Sequence, residues 1–434
     1  MGAHAAGEAV RSRAGRSGFL RMFGSAVMTQ AMLSAASLLV GLILIRGTTE
    51  QQYGYYILII NAVALLTALQ NGFIQPAMVT RMTRSDLNGR RALIGGLFRE
   101  QRQLLPIAAG VSALAVAGLY AAGVLPKSIA LLILAGTLAV VAGLFREFFR
   151  MVLLGYRRPI DIFKADVVYV TLLVSGALCA TLFPATAATA ALTLSVAAAA
   201  GGIMLARALW RHESWNIEGA VGILREIAPL ATWSASGAAI HWTFSQGYNY
   251  LVAGTLSVTA VAAIAGTRLM MMPINLLSSG IGTLMLPTTA GWLQHHKPQR
   301  VFRRLVLFAI AIVLLSVCYV TIMWLMRDWI FANLLKKQFL QRDLLLQLWS
   351  IIFILMVCRD QLIYMLTARG RFRLLAALTL ASAFLSLTVS YVAMRHIGVV
   401  VALVGILAGE LFNVILIAIF SYRESRHDGP VRLT

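Results

Sequence analysis

The chain has 434 residues, of which 59% are hydrophobic and only 12% charged, and its mean hydropathy is +0.81. A soluble domain carries charge on about a quarter of its residues, so this composition excludes one and describes a polytopic membrane protein. The net charge of +21 does not point to nucleic acid, because the basic residues fall in short clusters between apolar spans, where they set topology and meet anionic membrane lipid.

Apolar stretches long enough to cross a hydrocarbon core of about 30 Å are predicted near 19–45, 55–80, 104–125, 129–153, 163–183 and 186–209. Six more follow, near 228–254, 258–288, 303–326, 344–368, 372–395 and 398–421. Arg11, Arg13, Arg16 and Arg21 precede the first run, which is too long for a signal-peptide core and reads as an uncleaved span. Pro106, Pro229, Pro273 and Pro287 fall inside or at the ends of helices and are expected to bend them. With the N-terminus and every second loop inside, 28 Lys and Arg collect on the cytoplasmic side against 7 outside. That bias places both termini in the cytoplasm. The longest external loop, Arg327 to Asp343, carries Lys336 and Lys337 against the rule. It reads either as an interfacial amphipathic helix or as a contact for an acidic sugar leaving on that side.

The two halves echo each other. Arg146 and Glu147 precede Arg157 and Arg158, and 213 residues later Arg359 and Asp360 precede Arg369 and Arg371. Gly47-Thr48 ends the first span and Gly254-Thr255 the seventh. Six spans per half keep both halves in one orientation, so a duplicated bundle would have its axis along the membrane normal. The expected fold is all-α: twelve transmembrane helices in two six-helix lobes, residues 1–215 and 216–434, around a central cavity.

Charged residues inside spans are costly and mark function or ion-pair networks. Eleven residues of helix put Arg146 and Arg359 about 17 Å below the cytoplasmic surface. Glu147 and Asp360 are their neighbours, but positions i and i+1 diverge on a helix, so neither pair is expected to satisfy itself. Two readings stand: an interhelical ion-pair network, with the two elements facing each other across the lobe interface, or the lining of a substrate cavity or gate. Arg268, with no acid nearby in sequence, either snorkels or faces the cavity. The cavity is favoured, because a guanidinium binds two phosphate oxygens at once and stays charged. Its equivalent in the first half is Asn61. Glu410 either titrates in a transport cycle or pairs with an intramembrane arginine, with Asn413 one turn on. Asp166 reads as a solvated position near a helix end. The seventh span gathers His241, Gln246, Tyr248, Asn249 and Tyr250. The tyrosines suit an interfacial belt, whereas aromatics and amides together suit a sugar. His241 reads as a bundle hydrogen-bonding residue. Cys179, Cys318 and Cys358 lie within apolar spans without metal or disulfide spacing. No phosphate loop, paired-histidine metal motif or catalytic triad is found, so neither enzyme chemistry, cofactor nor metal is expected.

The stretch MLSAASLLVGLILIRGTTEQQYGYYILIINAVALLTALQNGFIQPAMVTRM resembles the first two helices of polysaccharide flippases of the multidrug/oligosaccharidyl-lipid/polysaccharide exporter superfamily, with Tyr53-Gly54 at the turn and Gly72 beyond it. PLATWSASGAAIHWTFSQGYNYLVAGTLSVTAVAAIAGTRLMMMPINLLSSGIGTLMLP is similar to helices seven and eight, and LTARGRFRLLAALTLASAFLSL resembles the tenth-to-eleventh connection. The resemblance implies alternating access and movement of undecaprenyl-diphosphate-linked oligosaccharide from the cytoplasmic to the periplasmic leaflet of a bacterial inner membrane. It further implies cationic cavity residues, here Arg268, Arg359 and Arg146, with Asn61, Gln246 and Asn249 as further substrate contacts and Glu147, Asp360 and Glu410 in coupling or gating. A polysaccharide polymerase and chain-length machinery are the implied partners. Many relatives carry an Asp near the end of helix seven where this chain has Tyr248-Asn249, so no ion coupling is carried over through that position. The alternatives are a drug/cation antiporter of the same superfamily and a membrane-embedded glycosyltransferase or polymerase. The first needs an acidic cavity among the first three spans, which hold no carboxylate; the second needs a larger external loop.

Overall fold

The computed structural model describes residues 28–84, 86–156, 158–211 and 222–426. Among them every regular element is helical: α1 (Met28–Gly47), α2 (Glu50–Arg84), α3 (Leu87–Ala121), α4 (Lys127–Gly155), α5 (Pro159–Ala180), α6 (Thr186–Trp210) and α7 (Ile223–Thr255). α8 (Val258–Leu269), α9 (Met272–His295) and α10 (Pro298–Leu325) follow, then a three-residue turn α11 (Arg327–Trp329) and a π-helical turn at Ile330–Leu335. The last three are α12 (Arg342–Ala368), α13 (Phe372–Ile397) and α14 (Val400–Ser425). Ten helices are long and apolar enough to cross a membrane, and the bent pair α8 and α9 makes eleven. α7 has 33 residues and is not among these; with it, twelve helical units follow in the expected order. The all-α polytopic class is observed. The N-terminal arginines, Arg157, the segment 212–221 with the expected lobe boundary, and the tail beyond 426 lie outside the described residues.

Two stretches expected as loops differ. The basic segment Arg81 to Arg102 is mostly helix. Asp86 caps α3 by accepting from the Gly89 N–H at 2.8 Å, and Glu100, four turns into that helix, accepts the N–H groups of Ile223 and Leu224 at 2.8 Å each. A carboxylate on the unpaired amides of the α7 N-terminus stabilises that helix start. The segment Arg327 to Asp343, expected to be external, is not a single amphipathic helix. Lys336 and Gln341 take left-handed conformations that interrupt it, while Ile330, Phe331, Leu335 and Phe339 are buried.

The turn echo has a structural basis. Thr49 Oγ1 accepts from the Gln52 N–H at 3.3 Å and Ser257 Oγ from the Ala260 N–H at 3.1 Å, so a hydroxyl caps the second helix of each half after a two-residue turn. Gly54 is required because a Cβ there would run into the Val258 carbonyl.

Pro273 redirects the backbone. It offers no N–H to the Leu269 carbonyl and its ring crowds that turn, so the helix breaks and α9 leaves α8 at 54°. The carbonyl of Met270, released by the break, accepts the Tyr319 hydroxyl at 2.7 Å. Tyr319→Phe should leave that carbonyl unmet in an apolar setting and lower stability by about 1–3 kcal/mol, read as a fall in the melting temperature of purified protein. An unchanged value would mean that the break does not depend on this bond.

Compactness groups the chain into two units that are discontinuous in sequence. The first comprises Met1–Ser37, Gln70–Cys179 and Ala188–Thr232, and the second Leu38–Leu69, Ala180–Ala187 and Trp233–Thr434. Lipid tails supply no hydrophobic drive between helices, so close packing must hold each unit. In the first, Phe98, Phe148 and Phe149 stack among Ile94, Leu97, Leu153 and Leu205. In the second, α13 meets α14 through small residues, with Ser390 Oγ donating to the Ala402 carbonyl at 3.0 Å.

Candidate functional site

In the second unit a cavity of about 370 Å³ lies among α7, α8, α9, α12 and α14, lined by polar and aromatic groups that include His241, Gln246, Tyr248, Arg268, Asn275, Trp349, Arg359, Asp360 and Glu410. Two of its features follow from local sequence. Arg268 sits in the last turn of α8, just before the proline break, where unpaired carbonyls favour a cation. From the polar run of α7, His241, Ser245, Gln246 and Tyr248 line this cavity.

Arg268 Nη1 donates to Gln246 Oε1 at 2.8 Å and to the Tyr248 hydroxyl at 3.1 Å, and its guanidinium lies 5.4 Å from the Trp349 ring centre. Trp349 is itself fixed by its indole N–H to the Ile264 carbonyl at 3.0 Å. Asn249 Nδ2 donates to the same Gln246 oxygen at 3.3 Å. All of these partners are neutral. Among the described residues Arg268 makes no ion pair, and its Nε and Nη2 hydrogens have no protein acceptor. The site therefore holds a charged fork with one arm fixed and the other open.

Arg359, by contrast, is fully engaged. Its Nη1 donates to both oxygens of Glu410, at 2.9 and 2.7 Å. Its Nε and Nη2 donate to Asp360 Oδ1 at 3.2 and 2.9 Å. Asp360 Oδ2 accepts from Ser278 Oγ at 3.0 Å. Adjacency on the helix does not prevent the Arg359 and Asp360 pair, because the long arginine stem folds back along its own helix. Of the two readings of Glu410, the structure shows pairing.

In the first unit the equivalent element is built differently. Arg146 pairs with Asp166 and lies over the Tyr169 ring, 3.8 Å from its centre. Arg150 joins Asp166 at 3.4 Å and Glu147 at 3.5 Å, and Asn71 Nδ2 donates to Glu147 at 3.3 Å. Gly201 lets α6 approach, since a Cβ there would press on the Arg146 side chain. One expectation is corrected here: Asp166 is not a solvated surface residue but fully buried. Each arginine element has a carboxylate partner inside its own unit.

The remaining candidates fall in three places. Asn61 is buried on α2 with its amide nitrogen unpaired and is not among the residues lining the cavity. Tyr248 is 2% exposed and belongs to the cavity wall, so the belt reading fails for it, whereas Tyr250 is 40% exposed and donates to the Leu58 carbonyl. Asn413 is buried with its carbonyl oxygen unpaired. Trp349, Asn275 and Ser278 were not singled out from sequence. A tryptophan two turns into a span looks like an interfacial anchor, and Asn or Ser in a helix carries no distinctive signal.

Within the second unit, then, the cavity sets a fully paired Arg359 beside Arg268, whose guanidinium keeps open donors among the described residues. The chain's fold is that of known transporters. It is similar to an inward-facing multidrug resistance MATE family transporter of the MOP superfamily, with a TM-score of 0.73, 14% identity, and coverage of 91% of this chain and 94% of that one. It is also similar to the lipid II flippase MurJ in its inward closed conformation, with a TM-score of 0.67, 10% identity, and coverage of 91% and 86%. A MATE protein in complex with MaL6 gives 0.63 at 13% identity, covering 94% and 96%. No family model matches the sequence, and no curated protein matches it.

Proposed function

We propose that this protein is a flippase for an anionic lipid-linked oligosaccharide, moving an undecaprenyl-diphosphate-linked repeat unit from the cytoplasmic to the periplasmic leaflet by alternating access. The observation that carries the reading is Arg268, whose free donors face a cavity together with amides and aromatics. A diphosphate offers oxygens to the open arm of the fork, while Gln246, Asn275 and Trp349 suit the hydroxyls and the apolar face of a sugar. The triad of Arg359, Glu410 and Asp360 is proposed as the fixed floor of the site, and Arg146, Glu147 and Asp166 as its counterpart in the first unit. A polymerase and chain-length machinery would receive the product.

A drug/cation antiporter needs a carboxylate free to hold its cargo. Here Glu410 and Asp360 are taken by Arg359, and Glu147 and Asp166 by Arg150 and Arg146. The two readings separate in proteoliposomes containing the purified protein. Fluorescently tagged undecaprenyl-diphosphate oligosaccharide should change leaflets at a rate well above that of empty vesicles, while a lipophilic cationic dye driven by a proton or sodium gradient should not move. Transport of the dye without movement of the tagged lipid would overturn the proposal.

A further inference from the structure

We propose that a second pocket, beside the turn joining α1 to α2, binds the phosphate group of an anionic lipid. This proposal stands apart from the flippase reading. The pocket has a volume of about 370 Å³ and no carboxylate in its lining. One wall is the external segment whose lysines break the positive-inside pattern. The left-handed residue Lys336 ends the π-helical turn, and Lys337 Nζ then reaches the Thr48 carbonyl at 2.6 Å. That is its only hydrogen bond among the described residues, so two ammonium hydrogens remain.

Two further donors converge on the same space. Gln52 uses its Oε1 to accept the Ala187 N–H at 2.9 Å, which fixes the amide and leaves its NH₂ without a protein acceptor. Thr49 Oγ1 accepts from the Gln52 N–H at 3.3 Å, so its own hydrogen is free to donate. An ammonium, an amide NH₂ and a hydroxyl around a cavity without a carboxylate match the oxygens of a phosphate and offer nothing to a cation. The lip supplies the rest of the argument for a lipid. Leu182 and Phe183 line the same pocket and are 80% and 51% exposed, so acyl or prenyl tails have apolar surface directly beside the donors. A free phosphate would make no use of it.

The test counts lipids retained by the purified full-length protein in native mass spectrometry. Phosphatidylglycerol and undecaprenyl diphosphate are compared with a glucosyl diacylglycerol, which has tails and no phosphate. The phosphate lipids should be retained in preference, and Lys337→Ala should weaken them about tenfold, the loss of one charge-assisted hydrogen bond. Lys337→Arg should keep most of the binding. Because Lys337→Ala also cuts the tie to Thr48, the decisive variant is Gln52→Glu. It keeps an oxygen for the Ala187 N–H but sets a carboxylate against the phosphate, and should weaken binding at least as much while the folded yield stays normal. Loss of both phosphate lipids assigns the site to any lipid phosphate, and loss of undecaprenyl diphosphate alone assigns it to the prenyl diphosphate. Equal retention of both phosphate lipids by wild type and Gln52→Glu, or equal retention of the phosphate-free lipid, would overturn the proposal.

Discussion

Replacing Arg268 with alanine should abolish export of lipid-linked oligosaccharide while the protein still accumulates in the membrane at its normal level. The side chain makes two hydrogen bonds to neutral partners and no ion pair among the described residues, so its removal strands no opposite charge. Folding is therefore expected to survive, with Gln246 and Tyr248 free to bond each other or water. What is lost is a fork worth about 1.5–3 kcal/mol for each charged hydrogen bond to a phosphate oxygen, a drop of tenfold or more in affinity. Arg268→Lys should recover only part of the activity, because an ammonium keeps the charge but cannot hold Gln246 and Tyr248 with one nitrogen while presenting two others to the substrate. Export is scored as surface polysaccharide, and protein level by immunoblot of membranes. Normal export by Arg268→Ala would show that the guanidinium serves only to hold Gln246 and Tyr248.

The reach of the sequence differs between levels of the structure. Spans are set by length and hydropathy, and both are local, so the order of helical units was legible throughout. Helix ends were less so. The basic residues at the end of α2 and in the first half of α3 suggested a loop, yet a helix can carry them past the apolar core, and only the Asp86 cap marks where α3 starts. Partners of buried charges divide by geometry. Arg146 lies nine residues before the end of α4 and Asp166 seven after the start of α5. In an antiparallel hairpin those depths coincide, so that pair was available from counting alone. The same count in the second half leads from Arg359 to Thr379, which carries no charge and whose hydroxyl bonds the Leu375 carbonyl. The charge instead resides at Glu410, one helix further on. Nothing in the spacing of Arg359 and Glu410 reveals this, because their contact depends on how α12 packs on α14.

That relocated pair gives the second large effect. Arg359→Ala should destabilise the protein by about 3–5 kcal/mol, the cost of breaking a buried ion pair, and more than Glu410→Ala does. The asymmetry comes from the stoichiometry of the cluster. Removing the arginine leaves two carboxylates facing each other in one cavity, while removing Glu410 leaves Arg359 still bound to Asp360 through Nε and Nη2. The double variant Arg359→Ala with Glu410→Ala should regain much of the stability lost by Arg359→Ala alone, since only Asp360 then remains, with Ser278 still donating to it. Thermal unfolding in detergent measures all three against wild type, and the interaction energy is the departure from additivity. Additive losses would show that Arg359 and Glu410 contribute independently, and the triad would then be a lining of the cavity and not its floor. If coupling is found, the same cycle on Arg146 and Asp166 should repeat it with a smaller single-variant penalty. There Arg150 also reaches Asp166, so loss of Arg146 leaves the carboxylate a second cation.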